Sequence, residues 1–201
     1  GGFMINIESF IRPNIRALKP YRSARQDYVT GVLLDANENA FGSAVTFDGL
    51  DLNRYPDPFQ LSLRSQLAQL HGVHKDNLFA GVGSDEVIDL LLRIFCEPGT
   101  DSVLILEPTY GMYRVAADIN NVRVDSCLLT DDFQIDVEAV KRAVTATTKI
   151  IFCCTPNNPT GNLLRRADIL HLCAETSAIV VADEAYADFY QSESLISALA
   201  E

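Results

Sequence analysis

The sequence is short of positive charge, of long apolar runs and of clustered metal ligands, and each shortage excludes something. Lys and Arg number 16 against 27 Asp and Glu, a net charge of −11. No long-range positive field draws in polyanions, so neither nucleic acid nor a membrane surface is an expected partner. A single small phosphate is not excluded, because a few backbone N–H groups can hold one. The longest apolar stretches, near Ile150–Cys154 and Ala178–Ala182, fall far short of the roughly 20 residues that span a bilayer. No signal-type apolar region follows Met4, and the expected compartment is the cytoplasm. There is no C-x-x-C, and the five cysteines (96, 127, 153, 154, 173) are odd in number with mostly apolar neighbours. They read as buried free thiols in a reducing compartment. The three histidines do not cluster with cysteine or carboxylate, so no metal is expected: His71 and His74 read as solvent-facing, His171 as surface or filler. No internal repeat or low-complexity segment stands out.

What is present is an ordinary globular composition, 48% hydrophobic and 21% charged, over 201 residues. A chain of that length buries roughly 70% of its unfolded surface and needs no disulfide or metal to fold. Residues 4–30 are locally basic and broken by Pro13 and Pro20, and read as an arm lying on a surface. A short strand at Val32–Leu34 and a loop over 42–58 follow. Beyond it the chain alternates. Helices are expected over Phe59–His71 (stopped by Gly72), from Ser84 to about Cys96, and over Gly111–Ile119, Asp136–Val144 and Arg165–Glu175. Strands are expected at Leu78–Ala80, Val103–Leu106, Val122–Leu128, Lys149–Cys153 and Ala178–Ala182. Ser84 is placed as the N-cap of its helix, with Asp85 and Glu86 in the first turn. That helix is apolar on most sides and is expected to be buried between layers. Four- to six-residue apolar strands alternating with helices of about ten give an α/β fold: a mostly parallel sheet with helices on both faces.

In such a sheet, ligands collect at the carboxyl ends of the strands. Four loops occupy those ends: Gly81–Asp85, Glu107–Tyr110, Thr155–Gly161 and Asp183–Tyr186. Gly81-Val82-Gly83-Ser84 could seat a phosphate on a helix N-terminus, or be a tight capped turn. It lacks the third glycine of a dinucleotide fingerprint and the lysine of a P-loop, which counts against a generic nucleotide-binding domain. Tyr110 is either a packing residue or a platform for a flat ring. Asp183 ends a buried strand, where an unpaired acid is costly. It either caps a neighbouring loop or partners a buried cation or a metal, the last without clustered His or Cys to support it. Thr155-Pro156-Asn157-Asn158-Pro159-Thr160-Gly161 fixes one backbone path with two prolines and a glycine, a specification that suits positioning a ligand.

Taken together, Asn157–Gly161 and Asp183-Glu184-Ala185-Tyr186 resemble the signatures of fold-type I pyridoxal-phosphate (PLP) aminotransferases. Leu34–Asn39, Arg54-Tyr55-Pro56, Gly83–Glu86 and Pro108–Tyr113 are similar to the histidinol-phosphate branch of that family. The matches run in order from residue 34 to residue 186. The resemblance implies amino transfer between L-histidinol phosphate, an amino-acid-like phosphate, and 2-oxoglutarate in histidine biosynthesis. It implies that Ser84 and Asp85 meet the PLP phosphate through backbone N–H groups, that Tyr110 stacks on the pyridine ring, and that Asp183 pairs with the ring nitrogen. Asn158 and Tyr186 are implied partners of the ring's phenolic oxygen. Tyr55 is implied to reach the phosphate of a partner subunit, hence a homodimer, and Asn37 and Glu38 to lie near the substrate entrance. Ala40 follows Asn-Glu-Asn where the family usually has proline.

The family's Schiff-base lysine falls past Glu201 in this alignment of motifs, and Lys19, Lys75, Lys141 and Lys149 do not match it. The resemblance therefore implies residues 1–40 as an arm with part of a small domain, and 41–201 as a partial PLP-binding large domain. It holds PLP non-covalently at best, has no catalytic residue of its own and is inactive alone. The competing reading is a non-catalytic fragment or binding module that holds PLP weakly or only dimerises.

Overall fold

The computed structural model describes residues 17, 19, 59–190 and 194–200. The expected arm, the Val32–Leu34 strand, the 42–58 loop, Asn37, Glu38 and Tyr55 lie outside the described residues. The chain divides into two units, one of residues 19–79 and one of residues 1–18 with 80–201.

In the first unit, α1 (Leu61–His71) ends where expected: Gly72 takes φ +67° and its N–H bonds to the Ala68 carbonyl. A 3-10 turn, Lys75–Asn77, follows. Arg64 reaches from the helix to the Lys75 carbonyl (Nη2, 2.7 Å) and to Asp76 (3.3 Å), tying turn to helix. His71 and His74 are exposed, as expected. Leu78–Ala80 is not a strand. Three residues between Asn77 and Gly81 offer too few ladder bonds to hold a sheet position, and Phe79 is exposed.

The second unit alternates helix and strand: α2 (Gly83–Phe95), β1 (Ser102–Glu107), α3 (Met112–Ile119), β2 (Arg123–Leu128), α4 (Val137–Ala143), β3 (Thr148–Cys154), α5 (Arg166–Glu175) and β4 (Ile179–Asp183). All neighbouring strands pair in parallel, in the order β2-β1-β3-β4. The central strands β1 and β3 carry the unbroken apolar runs and are buried almost throughout, whereas β2 (Arg-Val-Asp-Ser-Cys-Leu) mixes polar residues in and is largely accessible. Successive side chains point to opposite faces and split the core in two. Val103, Ile105, Ile150, Phe152 and Cys154 pack against Ile88 and Leu92 of α2 and Tyr113, Ala116 and Ala117 of α3. Leu104, Leu106, Ile151 and Cys153 pack against Val140 of α4 and Ile169 and Leu172 of α5. The sheet with helices on both faces is thus present.

Three further expectations are corrected. Helix α2 is not enclosed: it lies as an outer layer on one face, so Ile88 and Leu92 are buried while Ile94 and Phe95 face outward. Ser84 is not its N-cap. Gly83, at φ +75°, already opens the helix, so Ser84 sits inside the first turn, and no side chain of the N-cap residue Val82 caps it. The Glu86 carboxylate reaches back instead and accepts the Val82 N–H. Finally, the thiols are not all buried. Cys96, Cys153 and Cys154 are, Cys127 is partly so, and Cys173 is exposed, one step round α5 from the inward-facing Leu172. None forms a disulfide.

Candidate functional site at the strand ends

A parallel sheet puts all its carboxyl ends on one edge, so the loops after β1, β3 and β4 meet. Asn157 joins two of them. Its side chain is buried, accepts from the Thr109 hydroxyl (3.1 Å), and donates to the Pro108 carbonyl (2.9 Å) and to Thr160 Oγ1 (2.7 Å). The Thr160 hydroxyl in turn donates a hydrogen bond to Asn162 Oδ1. Backbone bonds from Asn157 to Asn162 (2.8 Å) and from Gly161 to Asn157 (2.7 Å) close the loop, with Gly161 at φ +74°. The Thr155 N–H donates to the Asp183 carbonyl (2.8 Å), which ties the β3 loop to the end of β4.

On this frame stand the residues that the sequence singles out. Tyr110 is half-buried, and its hydroxyl donates to Asp85 Oδ1 (3.1 Å) at the first turn of α2. The Tyr110 ring meets Tyr113 edge to face, centroids 5.6 Å apart. Tyr113 in turn donates to Asp183 Oδ2 at 2.6 Å. Asp183 Oδ1 accepts the Ala185 N–H (3.1 Å). Asn158 Nδ2 and the Tyr186 hydroxyl lie 3.5 Å apart, at the outer limit of a hydrogen bond. Ser84, Asp85, Tyr110 and Asp183 are therefore linked through one chain of contacts or adjacent backbone, while Asn158 and Tyr186 form a second pair. Glu184, next to Asp183, accepts the Leu195 N–H (2.7 Å) and the Ser194 hydroxyl, which anchors the segment that follows.

Both first-turn carboxylates of α2 are held by neighbours: Asp85 accepts the Tyr110 hydroxyl and Glu86 folds back onto the Val82 N–H, beside first-turn N–H groups that have no partner within the helix. At the other end of the chain of contacts, burial and then the neighbouring Cys154 and Asp183 push the Tyr113 phenol far above the ordinary tyrosine value, so it remains a donor. Asp183 is half-buried, and none of the ion pairs among the described residues includes it. The strand-end edge thus brings together a helix N-terminus, the Tyr110 ring and the Asp183 carboxylate.

Two residues escaped sequence reasoning. Tyr113 and Asn157 lie inside quoted motifs, yet their partners are 70 and 48 residues away, a separation no local pattern reports. The described residues hold no group of three His, Cys, Asp or Glu able to bind a metal, and no described helix is long and apolar enough to cross a membrane.

A parallel sheet with helices on both faces, whose strand-end loops meet on one edge, defines a class of α/β proteins. Comparison narrows it. The family model for aminotransferase class I and II matches residues 23–201, and the chain belongs to that family. It is 48% identical over 196 residues to a histidinol-phosphate aminotransferase of Cytophaga hutchinsonii, covering 96% of this chain and 56% of that protein. It is 44% identical over 198 residues to one from Schizosaccharomyces pombe, covering 92% and 52%. The chain spans about half the length of the curated relatives it matches. Among solved structures, the histidinol-phosphate aminotransferase of Clostridium acetobutylicum superposes with a TM-score of 0.63 at 26% identity, over 73% of this chain and 43% of that one. The Sinorhizobium meliloti enzyme, solved with pyridoxal-5'-phosphate, shares the fold with a TM-score of 0.62 at 22% identity, over 69% and 38%.

Proposed function

We propose that this chain forms the greater part of the PLP pocket of an aminotransferase that moves the amino group between L-histidinol phosphate and 2-oxoglutarate. The observation that carries the reading is Asp183: a half-buried carboxylate, already oriented by two hydrogen bonds, with no cation from the described residues beside it. A protonated pyridine nitrogen is the cation that fits next to an aromatic face. The other donors fit the same molecule. Backbone N–H groups of Ser84 and Asp85 hold its phosphate, the Tyr110 ring covers its pyridine, and Asn158 and Tyr186 offer hydrogen bonds to its phenolic oxygen. When bound, PLP supplies a ring that withdraws electrons from the substrate's α-carbon. Asp183 keeps a proton on the ring nitrogen. Tyr110, fixed by Asp85, limits the tilt of the ring.

The resemblance adds residues outside the described ones: Tyr55, which serves the phosphate of a partner subunit in a homodimer, and Asn37 and Glu38 near the substrate entrance. Residues 1–40 are then an arm with part of a small domain, and 41–201 a partial large domain. The setting is the cytoplasm.

This chain holds PLP without a covalent bond and does not transaminate alone. Lys149 is the second residue of β3, five residues and roughly 16 Å of strand away from the Cys154 end. Lys141 lies on α4 and is paired with Glu138 and Glu175. Neither matches the family's Schiff-base position, and neither do Lys19 and Lys75. The test is borohydride reduction after adding PLP, followed by peptide mapping. The expected result is no lysine adduct and no amino transfer between L-histidinol phosphate and 2-oxoglutarate. A stoichiometric adduct on one of the four lysines overturns the claim of inactivity. On the full-length gene product, L-histidinol phosphate is expected to outcompete aromatic amino acids as donor, and the reverse order overturns the substrate assignment.

A further inference from the structure

We infer that Tyr113 is a positioning residue for the cofactor site, holding the Asp183 carboxylate in the orientation that pairs it with a ring nitrogen. The inference rests on the reading of Asp183 given above and adds a residue to which no role has been attached. Four observations converge on it. The Tyr113 side chain is fully buried, yet its hydroxyl is spent on a carboxylate at the site's edge, at 2.6 Å. Its ring cannot swing, because it stacks on Phe152 of β3 with centroids 4.6 Å apart and planes 8° from parallel. The same ring meets Tyr110, the residue proposed to cover the ligand's ring, edge to face. The other oxygen of Asp183 is fixed independently by the Ala185 N–H.

The consequence is chemical as well as geometric. A carboxylate otherwise turns about its last bond, and two donors from different elements remove that freedom before a ligand arrives. Each carboxylate oxygen carries two acceptor positions, so each keeps one free for a ligand N–H. The phenol hydrogen bond thereby fixes where the Asp183 carboxylate sits relative to a ring nitrogen beside it. Burial keeps the phenol protonated at any working pH. Tyr113 thereby couples the two ligand-facing residues, Tyr110 and Asp183, through one rigid buried ring.

The test uses this chain, PLP labelled with 15N in the ring, and the variants Tyr113→Phe, Asp183→Ala and the double variant. Tyr113→Phe deletes one atom and leaves the ring in its stack. It is expected to weaken PLP binding about tenfold, the loss typical of one hydrogen bond to a charged group, and to move the 15N resonance toward its unprotonated position. In the Asp183→Ala background the same change is expected to add nothing. If Asp183→Ala moves the resonance and Tyr113→Phe does not, the positioning role is overturned and the Asp183 reading stands. If Asp183→Ala leaves the resonance and affinity unchanged, or if the unmutated chain does not bind PLP, the underlying reading falls and the inference with it. Should Tyr113→Phe not fold, the unmutated chain labelled at tyrosine Cζ gives the answer: the Tyr113 resonance is expected to shift on saturation with PLP, and an unmoved resonance overturns the inference.

Discussion

Replacing Asn157 tests how the site's frame is held. Its side chain makes three hydrogen bonds, all in a buried setting, to two different loops. At about 1 kcal/mol net for each bond, Asn157→Ala is expected to lower the unfolding free energy by about 3 kcal/mol. Asn157→Asp separates geometry from volume. The aspartate occupies the same space, and Thr160 can turn its hydroxyl to donate to it, but the Pro108 carbonyl at the other contact has no proton to give. Two acceptors then face each other, so the aspartate variant is expected to be no more stable than the alanine variant at pH 7. The same crowding raises the folded-state pKa of the new carboxyl. Its penalty is therefore present above that value and fades as pH falls toward the ordinary carboxyl range near 4, where a protonated oxygen donates to Pro108. The assay is urea unfolding followed by circular dichroism at pH 7 and at pH 4.5, with the alanine variant as reference. An Asn157→Ala cost below about 0.5 kcal/mol, or an aspartate variant as stable as the wild type at pH 7, refutes the bracket between the Pro108 and Thr155 loops.

The thiols, the pH dependence and the helix start give three further predictions. Of five cysteines, only Cys173 is exposed, so native titration with a dithiobis-nitrobenzoate reagent should show one fast thiol, which Cys173→Ser removes, and denaturation should release the other four; two or more fast thiols contradict the packing. Burial raises the Cys96 thiol to about 11 and the Cys153 thiol to about 12, with Cys127 and Cys154 raised as well. The unfolded chain then loses these protons near pH 8.5 while the folded chain keeps them, so the urea midpoint should fall steadily from about pH 8.5 to 11, and a flat midpoint is inconsistent with buried thiols. Because Glu86 and not Ser84 caps α2, Glu86→Ala should cost about 1 kcal/mol and Ser84→Ala a few tenths; the opposite order in urea unfolding contradicts the cap seen here.

The fold was legible where residues repeat a local rule. The unbroken runs at Val103–Leu106 and Ile150–Cys154 announce buried strands because both faces of β1 and β3 are covered, and Gly72 announces the end of α1 because only a left-handed residue closes that turn. Local rules failed where one neighbour overrode another. Ser84 follows a glycine that itself opens the helix, which moves the cap to Glu86. Leu78–Ala80 has strand-like residues but is too short to pair. The site was half legible. Tyr110 and Asp183 stand out as an aromatic and an acid at strand ends, while Tyr113 and Asn157, which hold those strand ends in place, depend on contacts across β1 and β3 that only the folded sheet creates.

The proposed role of the strand-end site is to bind pyridoxal phosphate through Asp183. Calorimetric titration of PLP into this chain and into Asp183→Ala measures it directly. Saturable binding at one site per chain, lost in the variant while its thermal unfolding stays cooperative, is the predicted result. No saturable heat from the unmutated chain, or equal affinity in the two proteins, would contradict it.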